Sequence, residues 1–201
     1  MKLIFISGPS GSGKTTLANK ILVKIQNGFI LSTDNYYKTG IISKILSKLI
    51  QGYFDRPISF NYKLFKKDFN FIVKNGISIN DRSYNFKDKK IKNILNEIKD
   101  IKFLIIEGIF AKDFSRTLCN QKFFLLELKT TKISCMTRVV RRDIKERGKD
   151  KNQAKNDFLE SWNIYYSKLK NKSIKRNRDE IIIRKNTNLE EILKKIFNLK
   201  F

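Results

Sequence analysis

The chain has 201 residues, of which 41% are hydrophobic, so it is long and apolar enough to bury one globular core. No apolar run approaches the ~20 residues of a membrane-spanning helix, and we expect no membrane contact. The Lys residues behind the formal net charge of +24 are scattered along the sequence, without an RNA- or DNA-binding motif. This scatter indicates compositional bias, and we expect no specific nucleic-acid binding.

The chain begins with a predicted strand, a glycine-rich loop and a predicted helix, over residues 2–6, 8–15 and 16–25. The loop fits the pattern G-x-x-x-x-G-K-[ST] with the residues Gly8, Pro9, Ser10, Gly11, Ser12, Gly13, Lys14 and Thr15, and Thr16 follows. The glycines let backbone N–H groups surround a phosphate, Lys14 would reach the β- and γ-phosphates, and the Thr15 hydroxyl would bind Mg²⁺. The loop predicts a site for ATP or GTP with Mg²⁺; a flexible turn is the alternative.

The position of this loop also bears on where the protein works. A cleaved signal peptide would destroy a loop that starts at residue 8, so we expect none, and we expect a cytoplasmic protein. Cys119 and Cys135 lie far apart and fit no metal or redox spacing, which favours buried thiols in a reducing compartment.

A polar segment, Thr33-Asp34-Asn35-Tyr36-Tyr37, follows the second predicted strand, residues 29–32. Functional groups in open α/β sheets lie at the carboxyl ends of strands, which places Asp34 near the phosphate loop. Its carboxylate could take a proton from an attacking hydroxyl or help to hold Mg²⁺. It could equally be the N-cap of a helix, because Asp favours that position.

Residues 34–100 interrupt the alternation of strands and helices more than any other part of the chain. Apolar spacing predicts helices over 41–50 and 62–73, and a small β-excursion over 77–86. We expect these insertions to bind the phosphate acceptor.

The apolar run over residues 103–106 is typical of a central parallel strand, and Glu107 follows it. An acidic residue there is typical of a Mg²⁺ site, and a solvated loop carboxylate is the alternative. Further strands are predicted over 123–128 and 181–183, and helices over 132–146, 157–169 and 189–197. This order predicts an α/β fold: one P-loop domain over 1–201, with a parallel sheet between two layers of helices, as in nucleoside monophosphate kinases.

Arg residues concentrate near residue 140, in a chain that otherwise favours Lys. Arg138, Arg141 and Arg142 share one helical face with Lys145, and Arg147 lies at the predicted helix end. Guanidinium groups suit the negative charge that develops during phosphoryl transfer. We expect residues 142–156 to form a lid over the nucleotide; a solvated basic face is the alternative.

Together these motifs resemble the uridine kinase (uridine–cytidine kinase) family of P-loop kinases over nearly the whole chain. The matching segments are, in order, residues 8–16, 33–37, 54–57, 83–86, 105–109 and 142–149. The last segment, preceded by Arg138, is the most particular to this family.

The resemblance implies transfer of phosphate from ATP or GTP to a nucleoside 5′-hydroxyl, of uridine or cytidine in the first place, by a homo-tetramer. It implies that Asp34 is the general base and that the cations acting on the transferred phosphate are Lys14, Arg142 and Arg147. Thr15 and Glu107 would belong to the Mg²⁺ site, and Arg138 to the nucleotide site. The residues implied for the acceptor pocket are Tyr37, Asp55, Tyr84 and Lys89.

The acceptor half departs from the family pattern. Arg56 and Lys89 stand where the family has His, and the chain contains no His. Asn85 replaces an Asp, Val139 a lid Arg, and Asp157 a Gln. Sequence drift in a chain without His explains these changes. Alternatively, two cations in place of His suit an anionic acceptor such as a sugar phosphate, as in phosphoribulokinase-like relatives.

Two other classes of protein stay open. A regulatory P-loop NTPase would bind a macromolecule, but the sequence has neither an Asn-Lys-x-Asp guanine motif nor an Asp-x-x-Gly segment. A polynucleotide 5′-kinase would need aromatic platforms, and the candidates are Tyr36, Tyr37, Tyr53, Phe54 and Tyr84.

Overall fold

The structure, a computed structural model, describes residues 1–86, 88–115, 122–170, 178–184 and 187–198. The strands found there are β1 (Lys2–Ser7), β2 (Gly28–Ser32), β3 (Ser78–Asn85), β4 (Lys90–Ile98), β5 (Phe103–Glu107), β6 (Phe123–Leu128) and β7 (Arg178–Ile183). The helices are α1 (Lys14–Lys24), α2 (Ile41–Leu49), α3 (Tyr62–Asn75), α4 (Ala111–Phe114), α5 (Lys132–Arg147), α6 (Lys151–Lys170) and α7 (Leu189–Asn198). None of these helices is long and apolar enough to cross a membrane.

Five strands form one sheet in the order β2-β5-β1-β6-β7, and each neighbouring pair is parallel. The register aligns Ile6 of β1 with Glu107 of β5, and Glu107 with Ser32 of β2. The carboxyl ends of these three strands therefore meet at one edge of the sheet. The predicted parallel α/β fold is confirmed.

Alternate side chains of the sheet are buried against helices on opposite faces, as predicted. On one face, Phe5 belongs to the same apolar cluster as Phe65 of α3. On the other face, Ile4 clusters with Ile21 of α1 and Ile196 of α7. Burying both faces explains why the central strands are apolar throughout.

Besides the short helix α4, which we did not predict, two elements differ from the prediction. The β-excursion over 77–86 is the first strand of an antiparallel hairpin, β3–β4, whose second strand we did not predict. Most β4 side chains are exposed on both faces, so the sequence there lacks the alternation that marks a half-buried strand. The helix α6 begins at Lys151, not at 157, because the Asp150 carboxylate accepts hydrogen bonds from the N–H groups of Asn152 and Gln153.

The two cysteines have different outcomes. Cys135 is a buried free thiol on α5, as predicted. Cys119 lies outside the described residues.

Candidate functional site

The glycine-rich loop connects β1 to α1 and packs against α5. Gly13 immediately precedes α1 in the left-handed region, with φ 98° and ψ 21°. Gly11 has φ 76°, and a Cβ atom there would lie 2.6 Å from the carbonyl oxygen of Cys135. The Lys14 ammonium is buried and donates to the Pro9 carbonyl at 3.0 Å, so the side chain curls back over the loop.

Glu107 lies beside this loop and is buried. Its Oε1 accepts a hydrogen bond from the Ser32 hydroxyl at 2.5 Å, and its Oε2 accepts one from the Thr15 hydroxyl at 3.4 Å. Burial, followed by the nearby charge of Asp34, raises the pKa of Glu107. Glu107 is therefore a buried, hydrogen-bonded carboxylate beside the phosphate loop, and the alternative of a solvated loop carboxylate is wrong.

Asp34 lies in a 3₁₀ turn, Thr33–Tyr36, directly after β2. Its side chain caps no helix, which removes the N-cap alternative. Its Oδ1 is buried and has no hydrogen-bond partner among the described residues. Burial raises the pKa of Asp34, and the charges of Lys14, Arg147 and Arg142 oppose that shift. The unpaired oxygen is thus available to a proton from a ligand.

Three cations gather around one buried carboxylate, that of Asp143, whose side chain is 3% exposed. The shortest distances to its oxygens are 2.9 Å from Arg142, 3.3 Å from Arg147 and 3.3 Å from Lys149. Asp143 thus holds this cluster at the end of α5 through charge-assisted hydrogen bonds and ion pairs.

The other predicted arginines lie elsewhere on α5. Arg138 donates to the carbonyl oxygen of Gly11 at 3.2 Å, which brings it to the phosphate loop. Arg141 is exposed, so the alternative of a solvated basic face holds for this residue.

A cavity of about 490 Å³ joins the phosphate loop to the predicted acceptor insertions. Predicted site residues that line it are Asp34, Tyr37, Asp55, Tyr84, Lys89, Arg142 and Arg147, and Lys149 of the predicted lid lines it too. Phe54 and Phe86 also line it, and their rings contact Tyr37 and Tyr84 at centroid distances between 5.0 and 6.3 Å. A cavity of this size, with both aromatic and charged side chains on its wall, suits a small molecule.

The acceptor side of the cavity presents several polar groups. Asp55 accepts a hydrogen bond from the Ser161 hydroxyl at 2.7 Å. Lys89 donates to the Ser47 hydroxyl at 3.0 Å, and its ammonium lies 5.5 Å from the centroid of the Phe54 ring. The Tyr84 hydroxyl is buried without a hydrogen-bond partner in the described chain, and burial raises its pKa to about 12.

The positions that depart from the family pattern have different places in the structure. Arg56 is exposed, donates from Nε to the Gln51 carbonyl at 3.1 Å and is not among the residues that line the cavity. Val139 and Asp157 do line the cavity. Asp157 lies 2.6 Å from Lys149, so an ion pair occupies that wall.

Sequence reasoning missed several residues of this cavity, foremost Asp143, Phe86, Ser47 and Ser161. Asp143 carried a signal, because it lies next to Arg142 and four residues before Arg147, a spacing that allows ion pairs on one helix. Ser47 and Ser161 carried none, since their partners are distant in sequence.

Comparisons with known proteins identify the family of the chain. The family model of the Phosphoribulokinase / Uridine kinase family matches residues 3–188. A uridine kinase from Borrelia duttonii (strain Ly) is 32% identical over 168 residues, which cover 83% of this chain and 79% of that protein.

Solved structures show the same fold at low identity. The circularly permuted YFH7 from Saccharomyces cerevisiae superimposes with a TM-score of 0.67 and 11% identity, over 92% of this chain and 93% of that one. D-glycerate 3-kinase from Cryptococcus neoformans var. grubii has a TM-score of 0.58 and 12% identity, over 91% and 86%. At such identities the structural likeness concerns the fold and leaves the acceptor open.

The packing of the loop on α5 gives a testable prediction for Gly11→Ala. The new Cβ would clash with the Cys135 carbonyl and shift the loop, so ATP affinity should fall at least about tenfold, measured by calorimetry. Gly76→Ala is the matched control, because Gly76 also has positive φ but its nearest neighbouring atom is 3.9 Å from the added Cβ. Wild-type affinity in Gly11→Ala would contradict the described loop packing.

Proposed function

Since the chain belongs to the phosphoribulokinase/uridine kinase family, we propose that it transfers the γ-phosphate of ATP to the 5′-hydroxyl of a pyrimidine nucleoside, uridine or cytidine. That it is an ATP-dependent phosphotransferase with a hydroxyl acceptor follows from the family itself. The observation that carries the acceptor proposal is that one and the same cavity is lined by Asp34, by the arginines and by an aromatic cluster.

The chemistry of the cavity wall favours a neutral nucleoside over a sugar phosphate. The aromatic rings suit a flat base, and the Asp55 carboxylate suits sugar hydroxyls. Of the two cations that an anionic acceptor would use, Arg56 is turned to solvent, whereas Lys89 is in the cavity.

The same wall disfavours a polynucleotide acceptor. Tyr37, Tyr53 and Tyr84 are buried, and Tyr36 packs in the core with its hydroxyl donating to Asp68 at 3.0 Å. A nucleic-acid strand stacks on rings along an open groove, which these buried rings do not offer.

In the proposed reaction, Asp34 accepts the proton of the acceptor hydroxyl, and the acceptor oxygen attacks the γ-phosphorus. The bond from that phosphorus to the β–γ bridging oxygen breaks, and ADP leaves with the bonding electron pair. Lys14, Arg142 and Arg147 neutralise the charge that develops on the phosphate oxygens.

Magnesium fits the oxygen donors beside the loop. The Thr15 hydroxyl and the Glu107 carboxylate are 3.4 Å apart, and Mg²⁺ prefers such ligands together with substrate phosphates. Bound there, the ion would neutralise charge on the β- and γ-phosphates.

We propose that residues 142–156 act as the lid. This segment carries Arg142, Arg147 and Lys149 on the cavity wall, and Gly148, at φ 67°, joins α5 to α6. Closure would exclude water and so suppress hydrolysis of ATP.

An acceptor panel tests the proposed function. ADP release would be measured with ATP and Mg²⁺ on uridine, cytidine, other nucleosides, ribulose 5-phosphate and pantothenate, with Lys14→Ala as the inactive background. We expect the highest kcat/KM with uridine or cytidine. Turnover confined to a sugar phosphate or to pantothenate would overturn the nucleoside proposal.

The role of Asp34 predicts a large loss of turnover in Asp34→Asn. Loss of a general base should lower kcat at least about a hundredfold, with ATP affinity retained. Because burial raises the pKa of Asp34 and the ionised form is the base, wild-type turnover should fall as pH drops through that raised pKa, and this dependence should vanish in the variant. Asp81→Asn, at an exposed residue of β3, is the control. Near-full activity of Asp34→Asn would exclude this assignment.

A further inference from the structure

The guanidinium of Arg147 lies on the face of an aromatic ring. Arg147 is the last residue of α5, and Phe86 follows the last residue of β3. The Cζ atom of Arg147 is 4.0 Å from the centroid of the Phe86 ring, well within the range of a cation–π contact. This contact joins the arginine helix to the hairpin that precedes β5.

The same ring also belongs to the aromatic cluster of the cavity. Its centroid is 5.0 Å from that of Tyr84 and 6.1 Å from that of Tyr37, and all three residues line the cavity. A molecule bound among these rings would therefore contact Phe86, the ring on which the Arg147 guanidinium lies.

Arg147 is also coupled to the reacting end of the cavity. Burial raises the pKa of Asp34, and the charge of Arg147 opposes that rise. Burial lowers the pKa of Arg147, and the charges of Asp143 and Asp34 oppose that change. Nη1 of Arg147 donates to the Asp143 carboxylate at 3.3 Å, but the same carboxylate also forms ion pairs with Arg142 and Lys149. The Phe86 ring is thus a second support for the guanidinium, which lies over it.

We propose that Phe86 is a positioning residue that holds Arg147 toward the transferred phosphate and couples an occupied acceptor site to charge stabilisation during transfer. The coupling rests on the proposed function, because it needs an acceptor among the rings. A plainer role for Phe86 is to stack on the acceptor itself, which would change acceptor binding without involving Arg147.

Phe86→Leu removes the aromatic face while keeping an apolar side chain. A lost cation–π contact predicts that kcat falls about tenfold, with the KM for ATP unchanged. Phe86→Tyr keeps the ring face and should keep most of the turnover. Phe71→Leu, at a residue of α3 that is 40% exposed, is the matched control and should leave kcat unchanged.

A double-mutant cycle separates the two roles. If Phe86 acts through Arg147, then Phe86→Leu should lower kcat no further in an Arg147→Gln background. An undiminished tenfold loss in that background would overturn the proposal, because the ring would then act on the substrate directly. A rise in acceptor KM at constant kcat would overturn it equally.

The cycle also stays informative if the nucleoside proposal fails. It would be run with whichever panel acceptor gives the highest turnover, so a non-nucleoside acceptor defeats the proposed function but still tests Phe86. If no acceptor is turned over, the affinity for ADP with aluminium fluoride, a mimic of the phosphate in transfer, replaces kcat. We expect about tenfold weaker binding in Phe86→Leu, and wild-type affinity would overturn the role of Phe86.

Discussion

The rest of this site depends on one constraint, the burial of charge at the carboxyl edge of the sheet. The charged groups are those of Lys14, Asp34 and Glu107. Burial lowers the pKa of Lys14 and raises the pKa values of Asp34 and Glu107, so each group alone would tend toward its neutral form. Their opposite charges reduce this cost in part, because Glu107 and Asp34 favour the charged ammonium and Lys14 favours both carboxylates. The charge of Asp34 adds to the rise in the pKa of Glu107. The parallel order β2-β5-β1 brings the three groups together. Asp34 follows β2, Glu107 is the last residue of β5, and Lys14 follows the loop after β1.

A second layer of charge makes this cluster suitable for phosphoryl transfer. Asp143 gathers Arg142, Arg147 and Lys149 beside the cavity, so positive charge is in place before a polyphosphate arrives. The aromatic cluster supplies the complementary half, an apolar wall for a flat acceptor. Phe86 belongs to both halves, which makes the contact between the acceptor hairpin and Arg147 part of the proposed chemistry.

Local patterns predicted the donor half of this structure well. The loop motif, the apolar strands and the amphipathic α5 each depend on residues that are close together in the sequence. The strand Phe123–Leu128, for example, was predicted with its observed bounds. The acceptor half depends on long-range partners instead. Ser161 donates a hydrogen bond to Asp55 across 106 positions. Arg56 has a nearby partner, the backbone carbonyl of Gln51, but no pattern of residue types marks that contact. Neither leaves a periodic signal, and β4 escaped prediction because it buries so little.

The central claim is that donor and acceptor meet in one cavity and that phosphate passes directly between them. The most direct test is the stereochemistry of transfer from ATP made chiral at the γ-phosphorus with oxygen isotopes and sulfur. A single in-line displacement predicts inversion of configuration at that phosphorus in the product. Retention would require two successive displacements through a phosphorylated protein group, and it would contradict direct transfer to an acceptor hydroxyl activated by Asp34.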